Sequence, residues 1–375
     1  MVADISEIRA MTIECEKVKG INLAQGICDL ETPHVVQSGA IEAIKNGFNT
    51  YSRADGIKEL REAVSQKLLN FNNIKTDPEK NIIISNGATG GFYTAARVLL
   101  EPGDEVLIFE PFYSYHVNTL KTMGVVPRYI KMHPPEWNYS LDEIKVSSKT
   151  KAIIINTPAN PCGKVFSEIE LKELEKFCLL HNLIIFTDEV YEYFIFDELQ
   201  HISPGSFESL REKTITISSY SKTFSITGWR IGYCVSTDDN VARKIKTIND
   251  LVYVCSPTPF QIGVAKGIET LTKDYYQNIK TELKEKRDKL CNALNQAGFA
   301  VHSPKGAYYI LADIGRLPGK TSKDKAMYLL DKSGIASVPG NEFFHDQTGN
   351  NYARFCFAKK DEALNRACEN LLKLT

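Results

Sequence analysis

Short apolar runs punctuate this chain, and helical stripes lie between them. Ile82-Ile83-Ile84, Glu105 to Phe109, Ala152 to Asn156, Leu183 to Thr187 and Thr214 to Ser218 are brief, apolar and bounded by Gly, Pro, Asp or Asn. Runs of that kind predict strands buried on both faces. A helix is expected between the third and fourth runs. Ser167 and Glu170 have capping-box spacing, and Leu171, Leu174, Phe177 and Cys178 form an apolar stripe behind them. Strands alternating with such helices give an α/β fold, with a mostly parallel sheet covered by helices. The pattern changes near residue 260. One long helical stretch, rich in Lys and Glu, is expected from Gln261 to Gly298, and a C-terminal helix from about Asp361. The long stretch reads as a bridge between two domains. The large one would span residues 41–274, and the smaller α+β one would combine residues 1–40 with 275–375.

A length of 375 residues suits two domains and a substantial core. Lys plus Arg number 45 and Asp plus Glu 46, for a net charge of −1, so nothing points to nucleic acid or an anionic membrane as partner. The nine cysteines are scattered without zinc-like spacing, so no metal is expected and a reducing compartment is. Residues 1–20 lack the apolar run of a signal peptide, and no stretch is long enough to span a bilayer. The expected location is the cytoplasm.

The candidate chemistry centres on Lys222, in Ser219-Tyr220-Ser221-Lys222-Thr223-Phe224-Ser225-Ile226-Thr227-Gly228-Trp229-Arg230-Ile231-Gly232. A lysine amine can form an imine with an aldehyde cofactor, and serine hydroxyls with an arginine fork can hold a phosphate. The run resembles the Schiff-base signature of class I/II aminotransferases, fold-type I enzymes that use pyridoxal 5'-phosphate (PLP). The resemblance implies that Lys222 carries PLP and acts as the base that moves the substrate's α-proton.

Other segments resemble the same family in the same order. Asp188, in Thr187-Asp188-Glu189-Val190-Tyr191, ends a predicted strand, where open α/β sheets place their sites. The resemblance implies that Asp188 pairs with the pyridine nitrogen and Tyr191 with the ring hydroxyl oxygen. Asn156-Thr157-Pro158-Ala159-Asn160-Pro161-Cys162-Gly163 is a rigid turn that resembles a family loop, and Asn160 takes the ring-hydroxyl contact. The family usually has Thr where this chain has Cys162. Ser85-Asn86-Gly87-Ala88-Thr89-Gly90-Gly91 reads as a glycine turn opening a helix at Phe92, and a helix N-terminus suits an anion. The implied phosphate site is the amides of Ala88 and Thr89 with Ser219, Ser221 and Arg230. Tyr113 matches the residue stacked on the pyridine face, while Phe112 and Tyr115 read as core or turn aromatics.

Arg354 lies on a strand-like apolar run, where a bidentate clamp on the substrate α-carboxylate fits its geometry. The backbone at Gly26 resembles the segment lying against that carboxylate. Tyr51, before Gly56 and Leu60-Arg61, matches a tyrosine that reaches the neighbouring subunit's phosphate, which implies a homodimer with shared sites. Tyr253 resembles an aromatic that lines the substrate pocket in the kynurenine and glutamine aminotransferase branch. The segment around it carries no arginine, and Asp29 and Glu31 suggest an acidic entrance. Together these imply amino-group transfer to a 2-oxo acid from neutral, aromatic or basic rather than dicarboxylic donors. A β- or γ-eliminating lyase, a cyclase or an oxidase on the same scaffold is the alternative, because fold does not fix function. A DNA-binding regulator built on this domain would need a further module, and the chain begins too close to the first motif to hold one.

Overall fold

The computed structural model describes residues 6–374. The strands are β1 (Ile21–Asn22), β2 (Ile82–Asn86), β3 (Glu105–Glu110), β4 (Val126–Lys131), β5 (Thr150–Asn156), β6 (Ile184–Asp188), β7 (Thr214–Ser219), β8 (Ile231–Val235), β9 (Ala300–Val301), β10 (Tyr309–Asp313), β11 (Ile335–Ala336), β12 (Val338–Pro339) and β13 (Tyr352–Cys356). The helices that matter below are α1 (Glu7–Lys17), α2 (His34–Lys45), α3 (Gly87–Leu99), α4 (Ser114–Thr122), α5 (Glu168–Leu180), α6 (Tyr220–Thr223), α7 (Asp239–Tyr253), α8 (Thr258–Thr270), α9 (Lys273–Gln296) and α10 (Asp361–Leu372).

Seven strands form the central sheet in the order β2-β8-β7-β6-β5-β3-β4. All neighbours are parallel except β8, which runs antiparallel to both β2 and β7. The five strands read from sequence are all present, buried along most of their length as expected for a sheet covered on both faces. Leu107, Ile153 and Ile185 pack into one core cluster, and Val106, Ile154 and Ile217 into another. The capping box at Ser167 and Glu170 starts α5, which buries Leu171, Leu174 and Cys178.

Strand order decides where the site lies. Parallel β5, β6 and β7 end at one edge, so Asn156, Asp188 and Ser219 emerge side by side. Antiparallel β8 begins at that edge, with Ile231 opposite Asn86 at the end of β2. Arg230 and Gly87, 143 residues apart in sequence, therefore meet, and the Gly87 amide donates to the Arg230 carbonyl at 3.0 Å. Behind the tip of β6 the Glu189 side chain is fully buried and accepts from Thr187, Ser203 and Asn72 at 3.0, 2.6 and 3.2 Å. Those bonds fix the backbone that carries Asp188.

A second, antiparallel sheet has the order β12-β13-β10-β9, and places Arg354 of β13 opposite Leu311 and Val338. The segment after β1 lies against it. The Cys356 amide donates to the Leu23 carbonyl at 2.7 Å and the Asp29 amide to the Ala358 carbonyl at 3.0 Å.

Two expectations are corrected. The stretch from Gln261 to Gly298 is two helices, α8 and α9, because Leu271 and Thr272 are extended and Leu271 turns toward the core. The helix expected to open at Phe92 begins at Gly87, so the glycines are its first turns rather than a loop before it. The expected domain boundaries at 41 and 275 fall inside α2 and α9. Among the described residues no helix is long and apolar enough to cross a membrane.

Candidate active site

A cavity of about 480 Å³ opens at the shared edge of β5, β6 and β7 and is closed by β10, β13 and the segment after β1. Lys222 lines it from α6, the short turn that follows β7. Its Nζ donates to the Gly26 carbonyl at 3.1 Å, and the Tyr308 hydroxyl donates to the same oxygen at 2.9 Å. Burial pushes the amine down to about 8, with the nearby Arg354 and Arg230 charges adding to the effect. The neutral amine is then a far larger share at pH 7 than for an ordinary lysine.

Asp188 is 6 % exposed, and its Oδ2 lies 3.0 Å from His116 Nε2. His116 sits in the first turn of α4 and packs against Phe92 and the edge of the Tyr113 ring. The sequence reading missed it. A helix opening at Ser114 would have turned His116 back toward Tyr113, but that helix was not foreseen. Tyr191, three residues after Asp188, shares a 3.0 Å hydroxyl–hydroxyl hydrogen bond with Tyr309. Tyr309 was also missed, and it shapes the site. A Cβ on Gly26 would lie 1.9 Å from its hydroxyl oxygen, so the backbone passes that ring only as glycine.

Arg354 is 1 % exposed and has no carboxylate within ion-pair reach among the described residues. It donates to Asn160 Oδ1 at 2.9 Å and to the Ala24 carbonyl at 2.8 Å, and its Nε has no partner. Its guanidinium stacks on Tyr309 at 4.1 Å and on Phe343 at 5.0 Å. Desolvating an unpaired charge costs several kcal/mol, and an orphaned buried donor costs about 1–3 kcal/mol more. That arrangement is held ready for an anion. Asn160 is placed by its own turn, since its amide donates to Asn156 Oδ1 at 2.7 Å.

A candidate anion cradle in the same cavity combines four features. Ala88 and Thr89 lie in the first turn of α3, whose leading amides have no intrahelical acceptor. Ser219 Oγ is tied to the Ser221 amide, and Ser221 Oγ is buried without a partner. Among the described residues Arg230 donates only to carbonyls, of Thr227 at 3.0 Å and Asn86 at 3.4 Å. Gly87 has φ +69°, and a Cβ there would sit 2.3 Å from the Arg230 guanidinium. An orphaned hydroxyl, an uncompensated cation and a helix N-terminus fit a phosphate group. Between the two anion sites lie Asp188, Tyr191, Asn160 and Tyr113, the set that suits a pyridine ring with a hydroxyl substituent.

Not every sequence-derived site residue lies here. Tyr115, read as a core or turn aromatic, lines the cavity and stacks on Tyr113 at 5.1 Å. Tyr51 is 82 % exposed, and neither it nor Tyr253 lines this chain's own cavity. Tyr253 approaches Gly90 of α3 instead. Among the described residues the expected acidic entrance does not form. Neither Asp29 nor Glu31 lines the cavity, and Asp29 is 3.5 Å from Lys359. Ile8 and Arg9 of α1 line it, and neither was foreseen.

Known proteins resemble this chain in sequence and fold. The sequence profile of aminotransferase class I and II matches residues 18–371. A kynurenine–oxoglutarate transaminase of Dictyostelium discoideum is 32 % identical, over 96 % of this chain and 91 % of its own. An aspartate aminotransferase of Pyrococcus abyssi is 34 % identical, over 98 % and 95 %. The solved structure of N-succinyldiaminopimelate aminotransferase from Mycobacterium tuberculosis superimposes with a TM-score of 0.94 at 31 % identity, covering 99 % of this chain and 97 % of that one. The chain thus belongs to the class I and II aminotransferase family, and it is a PLP-dependent aminotransferase.

Proposed function

We propose that this aminotransferase takes the α-amino group from neutral or aromatic amino acids and delivers it to a 2-oxo acid. The observation that carries the reading is the pairing of Arg354, a buried guanidinium without a carboxylate partner, with the largely desolvated Lys222 in one cavity. Bound PLP supplies an electron sink that stabilises charge at the substrate's α-carbon. Ala88, Thr89, Ser219, Ser221 and Arg230 would hold its phosphate, Tyr113 its ring face, Asn160 and Tyr191 its ring hydroxyl, and Asp188 its pyridine nitrogen. His116 keeps the Asp188 carboxylate aimed.

Arg354 orients the substrate by its α-carboxylate, beside Gly26. Lys222 Nζ, neutral in part at physiological pH, takes the α-proton and returns it to the other side of the transfer. Ile8, Ile27 and Tyr115 offer an apolar, aromatic wall to the side chain. Arg9 at the same cavity disfavours a cationic donor, so basic amino acids leave the expected set.

The proposed unit is a cytoplasmic homodimer. Nine free cysteines support a reducing compartment. Phe48, Tyr51, Leu251, Val252 and Val254 are exposed apolar or aromatic side chains that suit burial against a second copy. Tyr51, and Tyr253 beside them, would then serve the partner's cavity.

Replacing Lys222 with Ala should cut turnover by at least about 10²–10⁴-fold. Borohydride reduction of the wild-type holoenzyme, followed by peptide mass spectrometry, should find the cofactor on Lys222, and an adduct on any other lysine would overturn the assignment. Mixing Tyr51→Phe with Lys222→Ala subunits should restore activity, because one hybrid site carries both lesions and the other neither. A fully active monomer in sedimentation would contradict the shared site. Across a panel of amino donors, kcat/KM should be higher for neutral or aromatic amino acids than for aspartate, and a clear preference for aspartate would refute the donor reading.

A further inference from the structure

Around the tips of β6, β7 and β8 lies a second group of charges, buried and outside the cavity lining. Lys67 and Glu192 pair at 2.5 Å, and each side chain is 4 % exposed. Neither lines the cavity. Lys67 Nζ also donates to Asn72 Oδ1 at 2.8 Å and to the Tyr233 hydroxyl at 3.0 Å, and it lies over the rings of Phe71, Tyr193 and Tyr233. Asn72 passes the link on, donating to Glu192 at 2.8 Å and to Glu189 at 3.2 Å. Local structure makes this possible. Lys67 ends a helix, Lys58–Lys67, and a π-helical turn, Leu68–Asn72, follows it. Residues five apart point to different faces of an α-helix, which has about 3.6 residues per turn, whereas a π-turn joins i to i+5 and lets Lys67 and Asn72 meet. Burial alone would push the Glu192 carboxyl up, but the Lys67 ammonium, helped by His201 and the Asn72 bond, outweighs it and holds the group below its usual range.

We propose that Lys67 and Glu192 are positioning residues for transamination, fixing the relative places of the three strand ends that hold the cofactor. The proposal rests on the cofactor contacts assigned above to Asp188, Ser219 and Arg230. Glu192 follows β6, four residues after Asp188. Its Oε1 accepts from the Ser218 hydroxyl of β7 at 3.0 Å, next to Ser219 and four residues before Lys222. Tyr233 lies on β8, three residues after Arg230. A single ammonium thereby ties the end of β6 to β8, and its carboxylate partner ties the end of β6 to β7. Stability does not explain the pair, because well-packed apolar residues in place of a buried ion pair are often as stable or more so. What the pair adds is geometry. Its bonds have set lengths and directions, whereas an apolar contact tolerates sliding, and a misplacement of about 1 Å in a site can cost about 10²-fold in rate.

The test combines Lys67→Met with Glu192→Gln in one chain. The pair's two charges are removed together, and Gln keeps hydrogen bonds to Asn72 and Ser218. The double variant should therefore melt within about 5 °C of wild type. Its apoprotein should bind PLP about tenfold more weakly in a fluorescence titration, and the loaded enzyme should lose about tenfold in kcat at an unchanged donor KM. Ser218→Ala, which cuts only the tie to β7, should weaken PLP binding about threefold and decides the matter if the double variant does not fold. Wild-type PLP affinity in the folded variants overturns the proposal whatever their melting temperature, as does a raised KM at unchanged kcat. Arg230→Ala separates this proposal from the reading beneath it. If removing that direct contact leaves PLP binding intact, the cofactor assignment fails. If it weakens binding while the Lys67→Met/Glu192→Gln and Ser218→Ala variants bind as wild type, the positioning role alone fails.

Discussion

The site depends on one carbonyl oxygen. Gly26 O accepts from Lys222 Nζ and from the Tyr308 hydroxyl, and so joins the strand end that carries the lysine to the small antiparallel sheet. Its segment is tethered at several points, by Cys356, by Asp29 to Ala358, and by Lys359 Nζ to the Gln25 and Ile27 carbonyls at 3.3 and 3.4 Å. Closing the cavity with backbone rather than with a charged side chain desolvates the lysine without pairing it. A carboxylate in that place would have held the ammonium form and left no usable base. The glycine is required because Tyr309 fills the space a side chain would take.

From that contact the rest of the cavity follows as two proposed anion sites, built differently. The proposed phosphate cradle is mostly backbone and sheet topology. It exists because antiparallel β8 starts where β2 ends, bringing Arg230 to the first turn of α3. The proposed carboxylate site is one deeply buried arginine, positioned by Asn160, the Ala24 carbonyl and two aromatic faces. The lysine and the aspartate lie between them, each set by a different strand.

Much of this was legible in the sequence, for identifiable reasons. Strands buried on both faces leave continuous apolar runs, and all five such runs are strands of the central sheet. Lys222, Asp188, Asn160, Tyr113, Arg230 and Arg354 sit in local motifs, and the structure gathers all six around one cavity. What escaped was what only tertiary contact creates. His116 and Tyr309 act through neighbours distant in sequence, and nothing local marks them. Arg9 lies on an ordinary amphipathic helix, and only folding brings that helix to the cavity mouth. The acidic entrance failed because proximity in sequence to Gly26 does not set direction, and Asp29 turns to Lys359 instead. The long helix after residue 260 failed because a charge-rich helical pattern continues across Leu271 and Thr272 while the backbone does not.

The central claim is that the fold itself, by burying Lys222 in the cavity, lowers the basicity of its amine. Competitive labelling of the cofactor-free protein with acetic anhydride, read peptide by peptide against pH, measures that basicity directly. Only the neutral amine reacts, so the labelling rate of Lys222 should rise with pH and level off around a midpoint of about 8. Exposed lysines in the same sample should titrate near about 10.4. A Lys222 midpoint that coincides with the exposed lysines would contradict the account.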